Sequence, residues 1–368
     1  MKQRDYTNFM SGTTHIHGPV YVVRMEGGGG KVIYLFGEIH ESIPSEDREC
    51  PVNVASIRID QLLKKIFMKR SHRTFDLFVE TSESVFKHHY FKNVSASIQV
   101  YMEKMISFAS HNSSFTPDNH IVRSTAYPNV RFHYFDVRPD QPSISEIIRT
   151  PFVPTANIDT IRRQTDDLVR IQKLLLSASK EMMEDTRFKK IRDTPKINRV
   201  FKECIQFIKD LHDKIPKVRS KIRTMIIRYE NDKKKFLSMT ETMTTHIVPM
   251  MEILIEVYEA IEDVFVVLTD LFLVRRIAEK SYTKRCMVYC GFTHLVDVVN
   301  LLHHLYGYQV THTSGEDSTK DEVLMAKYSV DAFIRENYNL MVRAINTDFN
   351  YEKHIPCISL AEFPPMLR

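Results

Sequence analysis

The stretch Val32-Ile33-Tyr34-Leu35-Phe36-Gly37-Glu38-Ile39-His40 decides how the chain is read. Its apolar run is rich in β-branched and aromatic residues, the composition of a buried strand. A glycine then opens onto a carboxylate and an imidazole. The same arrangement returns near the other end as Met287-Val288-Tyr289-Cys290-Gly291-Phe292-Thr293-His294. Two Gly-x-x-His elements, each leaving a strand, place two imidazoles at one rim of a sheet. A buried cluster of His and carboxylate there is costly unless it binds a metal or does acid–base work.

Upstream of the first element, Val20 to Met25 reads as another strand. Gly27 to Gly30 is a turn in which positive φ is free, so the two strands form a hairpin. These glycines are no phosphate loop, because a strand rather than a helix follows them. Downstream, Val54 to Arg70 carries apolar residues at helical spacing, Phe75 to Val79 is a strand ending at Glu80, and Ile98 to Ala109 is helical. Val130 to Phe135 is a strand ending at Asp136-Val137-Arg138. Pro139, Pro142, Pro151 and Pro154 mark a loop-rich boundary.

From Ile158 to about Lys280 the pattern is almost wholly helical, with Phe201, Ile205, Ile208, Leu211, Ile215, Val218, Ile222 and Met225 recurring every three or four residues. Pro216 is expected to kink or divide this stretch, and Pro249 the next. Met250 to Val274 is apolar on most faces and reads as a buried helix. After the second Gly-x-x-His element come a helix over Thr293 to Tyr306 closed by Gly307, a strand over Tyr308 to Thr311, a helix over Asp331 to Ile345 and an irregular tail from Tyr351.

The expected fold is therefore α/β: a largely parallel central sheet flanked by helices, with a long, mostly helical insertion between the two motif-bearing halves. The halves are residues 1–150 and 281–368, and the insertion is 151–280. Ligands of such sheets collect at the carboxyl ends of strands. Glu38, His40, Glu80, Asp136, Arg138 and His294 all lie at such ends. Glu38 and His40, two apart in an extended segment, face the same way. With Glu80 and His294 they make a two-His, two-carboxylate shell suited to Mn, Fe, Co or Zn. A metal with an open position activates water. Without a metal, His40 serves as a general base held by a carboxylate. In both cases Arg138 is placed to orient an anionic group or stabilise negative charge.

Charge is unevenly spread. The chain carries a net +5, yet Arg187 to Lys235 holds seventeen Lys or Arg against six Asp or Glu, an excess of eleven. A basic helical hairpin of this kind offers a site for nucleic acid or an acidic partner. The polar start, Met1 to Gly12, lacks the apolar segment of a secretory signal, and no uncharged apolar run reaches the length of a membrane span. The five cysteines are scattered without zinc-ligand spacing. Reduced thiols and a cytoplasmic location are expected.

Tyr34-Leu35-Phe36-Gly37-Glu38-Ile39-His40, Leu77-Phe78-Val79-Glu80 and Val288-Tyr289-Cys290-Gly291-Phe292-Thr293-His294 together resemble the TraB/TIKI, ChaN-like and erythromycin-esterase-like superfamily. Leu295 to Tyr308, a helix closing on Gly-Tyr, extends the likeness. Asp270 to Arg276 is similar to an arginine-bearing helix that precedes the second motif in this group. Asp136-Val137-Arg138 is similar to a segment in uncharacterised members from large DNA viruses, which would place the protein in host cytoplasm or virion. The resemblance implies an α/β core with the motif residues in one cleft. It implies metal-dependent peptide hydrolysis in one branch, metal-independent hydrolysis with a histidine base in another, and haem binding in a third. Glu38, His40, Glu80 and His294 match the motif positions, with His40, Glu38, Glu80 and His294 as the metal set. Arg275 or Arg276 matches the arginine, and Arg276 is taken as the site residue. The implied substrate is a peptide or small molecule.

Overall fold

The computed structural model describes residues 15–38, 56–68, 74–82, 100–116, 121–124, 126–148, 150, 157–233, 243–315 and 357–359. Two compact units divide the chain. The first comprises Met1–Val137, Leu273–Tyr328 and Asn339–Arg368, and the second Arg138–Phe272 and Ser329–Tyr338.

In the first unit, strands β1 (His15–His17), β2 (Tyr21–Gly27), β3 (Lys31–Glu38), β4 (Ser56–Arg58) and β5 (Phe75–Val79) are followed by β6 (Ser113–Thr116), β7 (Ile121–Ser124) and β8 (Val130–Tyr134). After the second unit come β9 (Arg285–Gly291), β10 (Gln309–Gly315) and β11 (Cys357–Ser359). Eight of these strands form one sheet in the order β10-β2-β3-β9-β5-β8-β7-β6. Its middle four strands, β3, β9, β5 and β8, run parallel. Antiparallel pairs complete both sides. The strands richest in apolar residues are thus the central ones, as burial on both faces requires. A smaller sheet joins β11, β1 and β4.

The β2–β3 hairpin forms as expected, with Gly27 opposite Lys31. Gly29 and Gly30 take φ of 70° and 71° in its turn, a region open to glycine. The helical pattern over Val54 to Arg70 resolves differently. Ser56–Arg58 pairs with β1, and among the described residues of the stretch Ile59–Met68 is helical, here α1. Helix α2 (Val100–His111) follows β5. One sheet face, with Phe36, Leu77, Phe132 and Tyr289, packs on Leu63, Ile66 and Phe67 of α1 and Met105 of α2. Phe67 lies among the rings of Phe75, Phe108, Tyr127 and Phe132.

The second unit is helical. It holds α3 (Pro142–Ile148), α4 (Ile158–Glu184), α5 (Thr186–Arg192), α6 (Pro195–Lys233) and most of α7 (Val248–Ala278). The proline-marked boundary is therefore not all loop, since α3 begins at Pro142, a first-turn position that needs no N–H. Asn157 caps α4 by accepting the N–H of Asp159 at 2.8 Å. Helices α4 and α6 run antiparallel, joined by Arg162–Glu230, Arg223–Asp166 and Gln172–His212 contacts. Pro216 does not divide α6. Its missing N–H frees the carbonyl of His212, four residues back, and Gln172 Nε2 donates to that carbonyl at 3.1 Å. Pro249 stands where a π-helical turn over Met243–Ile247 passes into α7. Phe201, Ile205, Ile208, Leu211, Ile215 and Ile222 are buried, as the spacing predicts.

The last residues of α7 return to the first unit, where Lys31 Nζ donates to the carbonyls of Ile277, Ala278 and Lys280 at 3.0, 2.5 and 3.1 Å. A cation thus closes the carbonyl end of the helix, where its dipole favours positive charge. Helix α8 (Phe292–Tyr306) follows β9 directly and ends on Gly307 in the left-handed conformation, φ 70°. No helix among the described residues is long and apolar enough to cross a membrane. The helix expected over Asp331 to Ile345 lies outside the described residues.

The motif glycine Gly37 is still inside β3, so it makes no turn. A Cβ there would stand 3.0 Å from Leu295 Cδ1 and 3.4 Å from the Phe292 Cα. Its role is close packing of α8 on the sheet. Gly37→Val should therefore destabilise the protein by about 2 kcal/mol, the usual cost of overpacking. Gly37→Ala should cost less, because Leu295 can shift its end. Urea denaturation of the two variants checks both the direction and the ranking.

Candidate functional site

The strand order brings three of the expected positions to one rim. β9 lies between β3 and β5, so the end of β9 meets Glu38 on one side and Glu80 on the other. Glu38 is in register with Gly291. The Glu80 N–H extends the β5–β9 ladder by donating to the Tyr289 carbonyl at 3.1 Å. Asp136, beyond β8, donates its N–H to the Thr81 carbonyl at 3.1 Å, which keeps it on the same rim.

The side chains form two pairs. Gly291 N–H donates to Glu80 Oε2 at 2.7 Å, and His294 Nε2 lies 3.0 Å from Glu80 Oε1. Gly291 is the N-cap residue of α8 and has no side chain to cap it. Glu80 supplies that acceptor from another strand, at the helix end where negative charge is favoured. The contact sets Nε2 of the ring against a carboxylate oxygen, the side from which a protonated nitrogen would donate. The ring is buried, edge-on to Phe135 with centroids 6.0 Å apart. The second pair is Glu38 with Tyr289, whose hydroxyl donates to Glu38 Oε2. Both residues are buried, Glu38 at 4% exposure. Strand alternation sets Glu38 with Phe36 and Tyr289 on the α1 side, and Glu80 with Asp76 and Phe78 on the α8 side. The two carboxylates therefore flank Gly291 from opposite faces.

His40 lies outside the described residues. Among the described residues no group of three or more His, Cys, Asp or Glu is placed to hold a metal ion. Cys204, Cys286 and Cys290 are buried and reduced. Arg138 is the first residue of the second unit.

Arg276 belongs to a different polar row on the α8 side of the sheet. Its Nη1 donates to the Tyr134 carbonyl at 2.8 Å and its Nη2 to His133 Nδ1 at 2.6 Å. His133 Nε2 lies 2.8 Å from Asp76 Oδ1. Arg131 grips both oxygens of Asp76 at 2.7 and 2.6 Å. A guanidinium only donates, so His133 Nδ1 must be unprotonated and Nε2 must hold the proton. The imidazole is neutral although it sits against a carboxylate. Burial first, and the charge of Arg276 second, lower its pKa from 6.5 to about 4. Burial also lowers Arg276, to about 10. The sequence carried a signal for this row: Asp76 interrupts an apolar strand, and Arg131 and His133 alternate with apolar residues on the next. Tyr289, inside its apolar run, carried none.

Fold and rim together define an α/β-sheet protein with a carboxylate–imidazole pair, its histidine buried, at the carboxyl ends of its parallel strands. The chain belongs to DUF5847, a family of unknown function, matched over residues 14–148 and 155–367. It is similar to Uncharacterized protein R706 of Acanthamoeba polyphaga mimivirus, 20% identical over 85% of this chain and 89% of that one. Uncharacterized protein R161 of the same virus is 28% identical over 33% of this chain and 29% of its own length. No solved structure matches.

Because the folded pKa of His133 lies below its unfolded value, the unfolded chain takes up the proton first. Stability is complete above about pH 6.5 and falls as pH drops toward 4, by up to about 3 kcal/mol from this residue. In His133→Gln, which cannot titrate, the unfolding free energy should be visibly flatter between pH 4 and 6.5. Chemical denaturation across that range gives the comparison.

Proposed function

We propose that the chain is a hydrolase of the TraB/TIKI–erythromycin-esterase-like type, with His294 as general base and Glu80 as the carboxylate that orients it. The observation that carries this reading is the 3.0 Å contact of His294 Nε2 with a Glu80 carboxylate whose other oxygen is fixed by Gly291 N–H. An imidazole whose Nε2 faces a carboxylate can gain a proton, and the carboxylate stabilises the imidazolium that results. The chemistry is attack of water on the carbonyl of an ester or peptide, with the proton passing to His294 and then to the leaving group. Glu38 and Tyr289 form a second, buried pair at the same rim, on the opposite face of the sheet. Viral relatives fit an intracellular hydrolase acting in the host cytoplasm.

The metal-dependent variant of this reading requires His40 to join Glu38, Glu80 and His294 around Mn, Co, Fe or Zn. The metal-free variant is favoured because the Glu38 and Glu80 carboxylates are already engaged, by Tyr289 and by Gly291. A panel of chromogenic esters and fluorogenic peptides, assayed with and without chelator, tests the proposal. Activity should survive the chelator. His294→Ala should lower kcat by about 100-fold or more, the usual share of a general base. Glu80→Gln, which keeps an acceptor for Gly291, should lower kcat with little change in melting temperature. Full activity in both variants would sink the proposal, and loss of activity on chelation would select the metal-dependent variant.

A further inference from the structure

The basic excess read from the sequence is not spread evenly over α6. Between Lys214 and Tyr229 there are six cations and no carboxylate. Arg219 and Arg223 turn toward α4, where they meet the Thr165 carbonyl at 3.1 Å and Asp166 at 3.0 Å. The other four, Lys214, Lys217, Lys221 and Arg228, are exposed. None of the four has a hydrogen-bond or ion-pair partner among the described residues. Their offsets of three, seven and fourteen residues put them on one helix face. At the helical rise this row is about 21 Å long.

We infer that this row binds the phosphate backbone of duplex nucleic acid without reading its sequence. A straight row of separated cations complements a polyanion whose charge repeats evenly along its axis. Three of the four are lysines, point charges that contact phosphate but lack the fork that reads base edges. A single strand fits less well. It needs exposed rings on which bases stack. Among the described aromatics of α6, Phe201 is buried, Phe207 is half-buried and Tyr229 packs edge-on to His246. An anionic membrane also fits less well, because the apolar side of α6, with Ile215, Ile222 and Ile226, is spent on the unit's own core.

The test is fluorescence anisotropy of the full chain with a labelled mixed-sequence 20-base-pair duplex, titrated at several salt concentrations. Four phosphate contacts predict a log–log salt slope of about −3.6, hence binding about 150-fold weaker at 200 mM than at 50 mM salt. Each single substitution, Lys214→Gln, Lys217→Gln, Lys221→Gln or Arg228→Gln, should reduce the slope by about one. Lys189→Gln with Lys190→Gln on α5, exposed but off the row, should leave it unchanged. No duplex binding at 50 mM salt would overturn the inference. So would substitutions on the row that leave affinity and slope at the wild-type values. Binding to phosphatidylserine vesicles in place of duplex would assign the row to a membrane and overturn it equally.

Discussion

One carboxylate holds the rim together. Glu80 accepts a backbone N–H from the start of α8 and lies 3.0 Å from the imidazole of a residue in its first turn. It thereby marks where α8 begins and sets the His294 ring beside a carboxylate. A glycine N-cap cannot close its own helix with a side chain. The end of β5 supplies what Gly291 lacks, so the second motif depends on a residue some two hundred positions away. Gly37 serves the same join from the other side. Its missing side chain lets Leu295 and Phe292 approach β3.

The sheet then sorts its polar residues by strand alternation. Glu38 faces Tyr289 beside the aromatic core under α1, while Glu80 shares its face with Asp76 and Phe78. On that second face Arg131, Asp76, His133 and Arg276 form a continuous row in which every bond has a defined donor. Two guanidinium groups and one carboxylate leave the row with an unbalanced positive charge, and the histidine between them stays neutral. Buried charge of this kind is retained only when each group finds its partner. Arg276 thereby locks the end of α7 to β8 as firmly as Lys31 locks it to β3.

Much of this was legible in the order of residues. Apolar runs ending at Glu38, Glu80, Asp136 and Gly291 mark the four parallel strands, and alternation with helices sets them in one sheet. The strand order was not legible. It is decided by which hydrophobic faces find each other after the helical unit intervenes, and that order is what places Gly291 between the two carboxylates. The packing role of Gly37 was hidden for a related reason. A glycine needed for close helix packing looks, in sequence, like one needed for a bend. That α6 runs on undivided past Pro216 was hidden too, because the residue that takes up its freed carbonyl, Gln172, sits on another helix. Arg276 was singled out by family likeness, yet its partners Asp76 and His133 were visible only as polar residues interrupting strands.

The account rests on Glu80 and His294 sharing a proton along Nε2. Long-range nitrogen–proton correlation spectra of the uniformly labelled protein at neutral pH report the tautomer of that ring directly. Protonated Nε2 and bare Nδ1, changing on replacement of Glu80, is the result expected. A ring protonated on Nδ1, or one indifferent to the loss of Glu80, would contradict the pairing on which the site is built.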